Sequence, residues 1–248
     1  MDPSEAKRLV RERIWRLLEE RGVALPPRPV RGRIPNFQGA REAARLLAGL
    51  PEWRRARVVK VNPDSPQRWV RLTGLVEGKL VVMATPRLRS GFLLLDPARI
   101  PGSLYSRAST IRGAFQLGRL IGIEELSRIG GVDLIVTGSV AVDRRGHRVG
   151  KGEGYAEIEY GVLRELGLIG PETPVATTIH ELQLVEYIPR EPYDLPLDIV
   201  VTPRRVIRVE PGERPPGIIW SLLPCSKYRE MPILQELARV KGVVKRCS

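Results

Sequence analysis

The chain has 248 residues, 42% hydrophobic and 28% charged, proportions that exclude a disordered or fibrous chain and suit a soluble globular protein able to bury a core. Against 28 acidic residues stand 41 basic ones, only seven of them Lys, for a net charge of +13; this favours phosphate-bearing ligands without choosing among nucleotides, polyanionic substrates and RNA. No apolar run reaches the roughly 18 residues of a membrane helix, and the first residues, MDPSEAKRLVRERIW, lack the order of a secretory signal, so a cytoplasmic protein with no membrane contact is expected.

Asp2-Pro3-Ser4-Glu5 places an N-cap aspartate before a proline at the first helical position, with Glu5 two residues after the proline as in a capping box. The helix that follows carries Ala6, Val10, Ile14, Leu17 and Leu18 on one face and Lys7 and Arg11 one turn apart on the neighbouring face, until Gly22 stops it. The stretch ALPPRPVRGRIPNFQG cannot be regular helix and reads as an extended surface segment anchored by Val30, Ile34 and Phe37. A helical pattern returns over 40–50. Strands are then expected at 57–61, 69–76, 79–85 and 91–96, with Gly78 as the turn between two of them, and at 132–142, 174–180, 197–203 and 205–210. Helices are expected at 156–167 and 231–242. Strands rich in Val, Ile and Leu on both faces, alternating with helices, predict a mainly parallel sheet covered on two sides, an α/β sandwich. One domain over 1–248 is expected, with 211–248 as a C-terminal packing extension whose proline-rich part, Pro211 to Pro224, carries Ile218, Ile219 and Trp220 as packing residues. Cys225 and Cys247 are too few for a disulfide framework and fit no metal-ligand spacing, so reduced thiols are expected.

The stretch GHRVGKGEGYAEIEY (146–160) follows a strand and opens a helix. Gly150, Gly152 and Gly154 leave backbone amides unobstructed, the helix N-terminus adds its dipole, and Arg148 and Lys151 add positive charge, so the loop can cradle phosphate. It matches neither the P-loop nor the dinucleotide fingerprint, and a tight β-to-α connection is the other reading of the same residues.

The run VDRRGHRVGKGEGYAE resembles the signature of the 5-formyltetrahydrofolate cyclo-ligase family, roughly F-D-x-x-G-x-R-L-G-x-G-x-G-Y-Y-D: Asp143, Gly146, Arg148, Gly150, Gly152, Gly154 and Tyr155 fall on its positions, with Glu157 at the acidic one. Lys7 and Arg11 resemble the family's K-x-x-x-R pair, and Gln183 with the spacing from Pro189 to Thr202 resembles its C-terminal strand region. RPVRGRIPNF, ATPRLRSG, TGSVAV, GKGEGYAEIEY and PGIIW are similar to the methenyltetrahydrofolate synthase domain-containing subgroup, whose animal members carry an added RNA-binding domain; no such signature is read here.

The resemblance implies a three-layer α/β/α sandwich with a mainly parallel sheet, Rossmann-like (NagB/RpiA/CoA transferase-like), and an enzyme that uses ATP and Mg²⁺ to turn 5-formyltetrahydrofolate, or a related formyl pterin, into 5,10-methenyltetrahydrofolate through a phosphorylated formyl group. It implies ATP binding by Lys7, Arg11, Arg148, Gly150, Lys151, Gly152, Gly154 and Tyr155, catalytic roles for Arg148 and Lys151, and metal binding by Glu157. The family's Tyr-Tyr-Asp is Tyr155-Ala156-Glu157 here, and Asp64, in KVNPDSP, is left to replace a second acidic residue near the first strand. Arg87 and Arg89, after a strand end where ligands of α/β sheets sit, are expected with Tyr155 on the substrate side. A monomer is expected. Beside ATP and a folate or pterin, weak RNA binding is an expected further partnership; the competing reading is a non-catalytic nucleotide- or RNA-binding protein on the same fold, with tight RNA affinity that drops steeply with salt. A deep, partly apolar cleft favours the pterin and a shallow basic one the RNA. His147 is expected in solvent and His180 as a structural residue ending a strand.

Overall fold

The computed structural model describes residues 2–210 and 212–247; Met1, Pro211 and Ser248, which bound the expected domain and its extension, lie outside them. The Asp2 carboxylate accepts the Glu5 amide at 3.4 Å and Pro3 takes the first helical position, so α1 runs Pro3–Glu20 from the capping pattern in the sequence. The proline-rich segment then doubles back as a two-stranded ribbon, β1 (Ala24–Leu25) against β2 (Asn36–Phe37), with Val30, Ile34 and Phe37 buried.

Next come α2 (Ala40–Ala48), α3 (Pro51–Arg55) and β3 (Val58–Val61). The stretch expected as a strand at 69–76 is instead helix α4 (Arg68–Val76). Its buried residues, Val70, Arg71, Gly74 and Leu75, recur at helical spacing, although their β-branched and aromatic neighbours suggest a strand. Gly78, at φ +76°, ends this helix rather than turning a hairpin. The correction has a topological reason: β4 (Leu80–Ala84) runs parallel to β3, and a parallel pair needs a crossover element between its strands.

The chain continues through β5 (Phe92–Leu95), α5 (Tyr105–Ala108), α6 (Ile111–Leu117), β6 (Arg119–Ile121) and α7 (Ile123–Ser127). The run expected as one strand at 132–142 divides into β7 (Leu134–Thr137) and β8 (Ala141–Asp143), which belong to different sheets. After β9 (Arg148–Val149) and α8 (Tyr155–Glu165) come β10 (Val175–Thr178), β11 (Leu184–Val185), β12 (Ile199–Val201), β13 (Val206–Arg208), α9 (Cys225–Glu230) and α10 (Pro232–Val240).

Among the described residues the main sheet has eight strands in the order β13-β12-β10-β7-β3-β4-β5-β6. Its centre, β12 through β4, is parallel, and β13, β5 and β6 add antiparallel edges. Alternate residues feed two cores. Val59 and Val61 pack with the helices α2 to α6; Val58 packs with α7, α8 and α10 on the opposite face, the three-layer arrangement that the sequence predicts. A third cluster joins Ile14, Trp15 and Leu18 of α1 to the proline-rich segment and to the small sheet β11-β8-β9.

The segment from 212 onward packs on the α8 face: Leu223, Met231, Ile233, Leu234 and Leu237 are buried there. Cys225 and Cys247 are not reduced thiols but a disulfide, their Cα atoms 5.6 Å apart across a sequence separation of 22; the turn through α9 and α10 makes this encounter, which spacing alone does not reveal. Among the described residues no helix is long and apolar enough to cross a membrane.

Candidate active site

The small sheet holds the glycine-rich segment in place. The Asp143 carboxylate, fully buried, accepts the amides of Arg145 and His147, each at 2.9 Å, and of Ile188 at 3.0 Å, while His147 Nδ1 lies 3.1 Å from it. His147 therefore braces the β8–β9 turn rather than standing in solvent. His180 caps a short 3₁₀ turn, accepting the Leu182 amide on Nδ1, and Gln183 bonds back to its backbone.

From β9 the chain enters α8 through Gly154, which takes φ +69° at the N-cap, a left-handed conformation that a side chain disfavours. Among the described residues the amides of 150 to 157 have no hydrogen-bond partner within the protein. Those of 155 to 157 lie in the first turn of α8, at the positive end of its dipole, where anions bind.

Basic side chains surround these amides. Arg148, 4% exposed, donates to the Gly138 carbonyl at 3.0 Å and to Glu157 Oε1 at 2.5 Å, and its buried Nε has no partner. Arg11 donates to the Gly150 carbonyl at 2.8 Å, and burial lowers its pKa. Lys7 lies between Glu191 Oε2 at 2.6 Å and Asp194 Oδ2 at 2.5 Å. Burial pushes the Asp194 carboxyl up despite Lys7; at Glu191 the upward push of burial is outweighed by Lys7, Tyr193 and Arg11, leaving it lowered. Burial and then the Glu191 carboxylate push the Tyr193 phenol up. Lys151 pairs with Glu153 at 2.7 Å and lies 5.9 Å from the centre of the Tyr155 ring.

All of these basic groups but Lys151 line a cavity of about 370 Å³, together with Ile218, Ile219, Leu222, Leu223 and Lys227 of the C-terminal segment. The cavity thus combines hydrogen-bond donors and positive charge with aliphatic surface, a combination suited to a flat ligand carrying phosphate or carboxylate.

Of the residues singled out in the sequence, Lys7, Arg11, Arg148, Gly150, Gly152, Gly154 and Glu157 line this cavity together. Lys151 and Tyr155 stand beside it, the Tyr155 ring under Lys227 Nζ at 3.8 Å. Asp64 lies against Gly138, its Oδ2 2.9 Å from where a Cβ on that glycine would be. Burial pushes its carboxyl up, against Lys151, Arg71, Lys60 and Arg148. Behind it Lys60 is buried in an ion pair with Glu159 and donates to Asn62 Oδ1 at 2.7 Å. Arg87 and Arg89 are exposed on the turn after β4 and are not among the cavity's lining residues. The sequence reading did not assign Glu191, Tyr193, Asp194 or the aliphatic wall to the site; Asp194 lies in the matched spacing from Pro189 to Thr202, and Ile218 and Ile219 read only as packing residues.

Residues 3–203 match the profile of the 5-formyltetrahydrofolate cyclo-ligase family. The methenyltetrahydrofolate synthase domain-containing protein of Mus musculus is 40% identical over 238 residues, 94% of this chain and 63% of that protein. The chain therefore spans about 63% of the length of that curated relative. The 5-formyltetrahydrofolate cyclo-ligase of Mycolicibacterium smegmatis is 34% identical over 79 residues, 32% of this chain and 38% of that one. The NMR structure of Aquifex aeolicus 5,10-methenyltetrahydrofolate synthetase shares the fold, with a TM-score of 0.50 and 22% identity over 86% of this chain and 95% of that one.

Proposed function

The chain belongs to the 5-formyltetrahydrofolate cyclo-ligase family, and from that premise we propose that it closes 5-formyltetrahydrofolate, or a related formyl pterin, to 5,10-methenyltetrahydrofolate with ATP, acting as a single domain in the cytoplasm. The observation that carries this reading is the row of unpartnered amides at 150 to 157 beside a basic, partly aliphatic cavity that Arg148 also lines. A triphosphate suits such a row of donors. When bound, ATP supplies the phosphoryl group that turns the formyl oxygen into a leaving group, so that N10 forms the new C–N bond and the C–O bond breaks with release of phosphate.

The protein's part is positioning and charge neutralisation, which is what phosphoryl transfer chiefly requires. The glycine segment and the α8 N-terminus hold the phosphates. Arg148, fixed by Gly138 and Glu157, and Lys151 neutralise charge that grows at the transferring group. Lys7 orders Glu191 and Asp194 at the cavity wall, and Arg11 holds the Gly150 carbonyl so that the next amides face outward. The aliphatic wall excludes water and receives the pterin face.

Among the described residues no three acidic, His or Cys side chains gather as a metal cage. That fits magnesium, which needs one or two carboxylates and completes its shell with water and phosphate oxygens; Glu157, through the oxygen not bonded to Arg148, and Asp64 are the residues to hold it. Arg87 and Arg89 remain proposed for a ligand's anionic tail at the strand ends. An RNA-binding surface would not need the apolar wall, so RNA stands as the weaker partner.

The test is absorbance of the methenyl product with 5-formyltetrahydrofolate, with and without ATP and magnesium. ATP-dependent growth of the product band is expected; its absence, from folded protein that binds both ligands, would overturn the assignment.

A further inference from the structure

The cations around the cavity differ in one respect. Lys7 is neutralised by Glu191 and Asp194, Arg148 by Glu157 and Lys151 by Glu153, and Arg11 donates to the Gly150 carbonyl. Lys227 lines the same cavity, yet among the described residues its ammonium has neither a carboxylate nor a carbonyl partner. Its one contact of this kind is the face of the Tyr155 ring, 3.8 Å from Nζ to the centroid, at the first residue of α8. A ring face attracts an ammonium without neutralising it, so the charge is positioned and still available.

Lys227 lies in α9, beyond residue 203 where the family match ends. Two residues before it, Cys225 is bonded to Cys247, and the same segment contributes Ile219, Leu222 and Leu223 to the wall. The segment therefore brings a fixed aliphatic surface and one uncommitted positive charge to a cavity whose remaining cations are occupied.

We infer that Lys227 is a specificity-determining residue that binds an oxyanion of the ligand at the Tyr155 end of the glycine segment. This rests on the cyclo-ligase reading for the ligand's identity but not for its charge. Two sources supply such an oxyanion, a nucleotide phosphate and the carboxylates of a folate tail, and binding measurements separate them.

Calorimetric titrations of tripolyphosphate, ATP, and 5-formyltetrahydrofolate with one or three glutamates are run on the wild type, Lys227→Met, Lys227→Arg and an exposed control, Lys241→Met. Met keeps the stem on Tyr155 and removes the charge; Arg restores it. Loss of one charge-assisted contact at a half-exposed position weakens binding about tenfold. Weakening of tripolyphosphate and ATP by Lys227→Met alone, recovered in Lys227→Arg, assigns the phosphate. Weakening confined to the triglutamate form assigns the carboxylate. Changes below twofold for every ligand, or equal changes in Lys241→Met, overturn the inference. A wild type that binds tripolyphosphate through Lys227 but yields no methenyl product refutes the reaction and leaves the residue's role standing; one that binds none of the four ligands refutes both.

Discussion

Lys60 and Glu159 are 1% and 3% exposed and form an ion pair between β3 and α8, the helix that follows the glycine segment. Removing one member of such a pair leaves an uncompensated buried charge and costs about 3–5 kcal/mol, whereas replacing both by apolar residues of similar volume is about neutral or stabilising. The two single changes differ in how pH affects them. In Lys60→Met, Glu159 faces the negative charges of Asp64 and Glu157, both of which push its carboxyl up, as burial already does. A carboxyl whose folded pKa lies above its unfolded value of 4.5 weakens the fold as pH rises past that unfolded value, and the loss is complete above the folded pKa. The loss in Lys60→Met is therefore larger at pH 8 than at pH 5, closer to the unfolded value. In Glu159→Leu the remaining charge is an ammonium with Asn62 Oδ1 2.7 Å away, and acidification brings no recovery. Urea unfolding followed by circular dichroism at pH 5 and pH 8, on the singles and on Lys60→Met/Glu159→Leu, tests this. The double variant is expected within about 1 kcal/mol of wild type, against the roughly 6–10 kcal/mol that additive losses would give. Additive losses in the double variant, or a Lys60→Met loss that is flat with pH, would refute the reasoning.

Arg148→Met is expected to lower kcat for methenyl formation by about 10²–10³-fold and stability by about 1–3 kcal/mol, because the Gly138 carbonyl and Glu157 lose their donor; progress curves and melting curves measure the two effects, and an unchanged kcat counts against the anion site. Cys225→Ser/Cys247→Ser opens a loop of sequence separation 22, worth about 3 kcal/mol by loop-closure entropy; a non-reducing intact mass 2 Da above the cross-linked value, or melting insensitive to the double substitution, shows that the bond does not stabilise the protein. A Cβ at Gly161 of α8 would overlap Ile218 Cδ1, so Gly161→Val costs about 1–3 kcal/mol of overpacking and displaces the wall segment. Faster proteolysis within 212–224 and weaker 5-formyltetrahydrofolate binding are expected, and protection equal to wild type argues against that packing.

Local signals made much of the fold legible. Asp2 and Pro3 mark the start of α1, and the glycines before Tyr155 mark the start of α8, because caps and left-handed turns are encoded within a few residues. The 69–76 stretch misleads because Val70 and Leu75 suit either a strand or a helix flank, and only the parallel β3–β4 pairing decides between them. The 132–142 run reads as continuous because Val, Ile and Ala flank the short Thr137-Gly138-Ser139 break, at which the chain leaves the main sheet. Within the site, the basic and glycine residues stand out by composition. Their partners do not: Glu191 and Asp194 meet Lys7 across separations of 184 and 187 residues, and the disulfide and the aliphatic wall depend on how α9 and α10 turn back over α8.

The cavity is bounded on one side by Ser4, Lys7 and Arg11 and on the other by residues 217 to 227. A nascent polypeptide exposes the first of these surfaces long before the second leaves the ribosome, so the cavity closes only once translation has passed Lys227. A chain cut short after the last sheet strand would lack Leu223, Met231, Ile233, Leu234 and Leu237, and would so leave both the core beside α8 and the cavity open to bulk water.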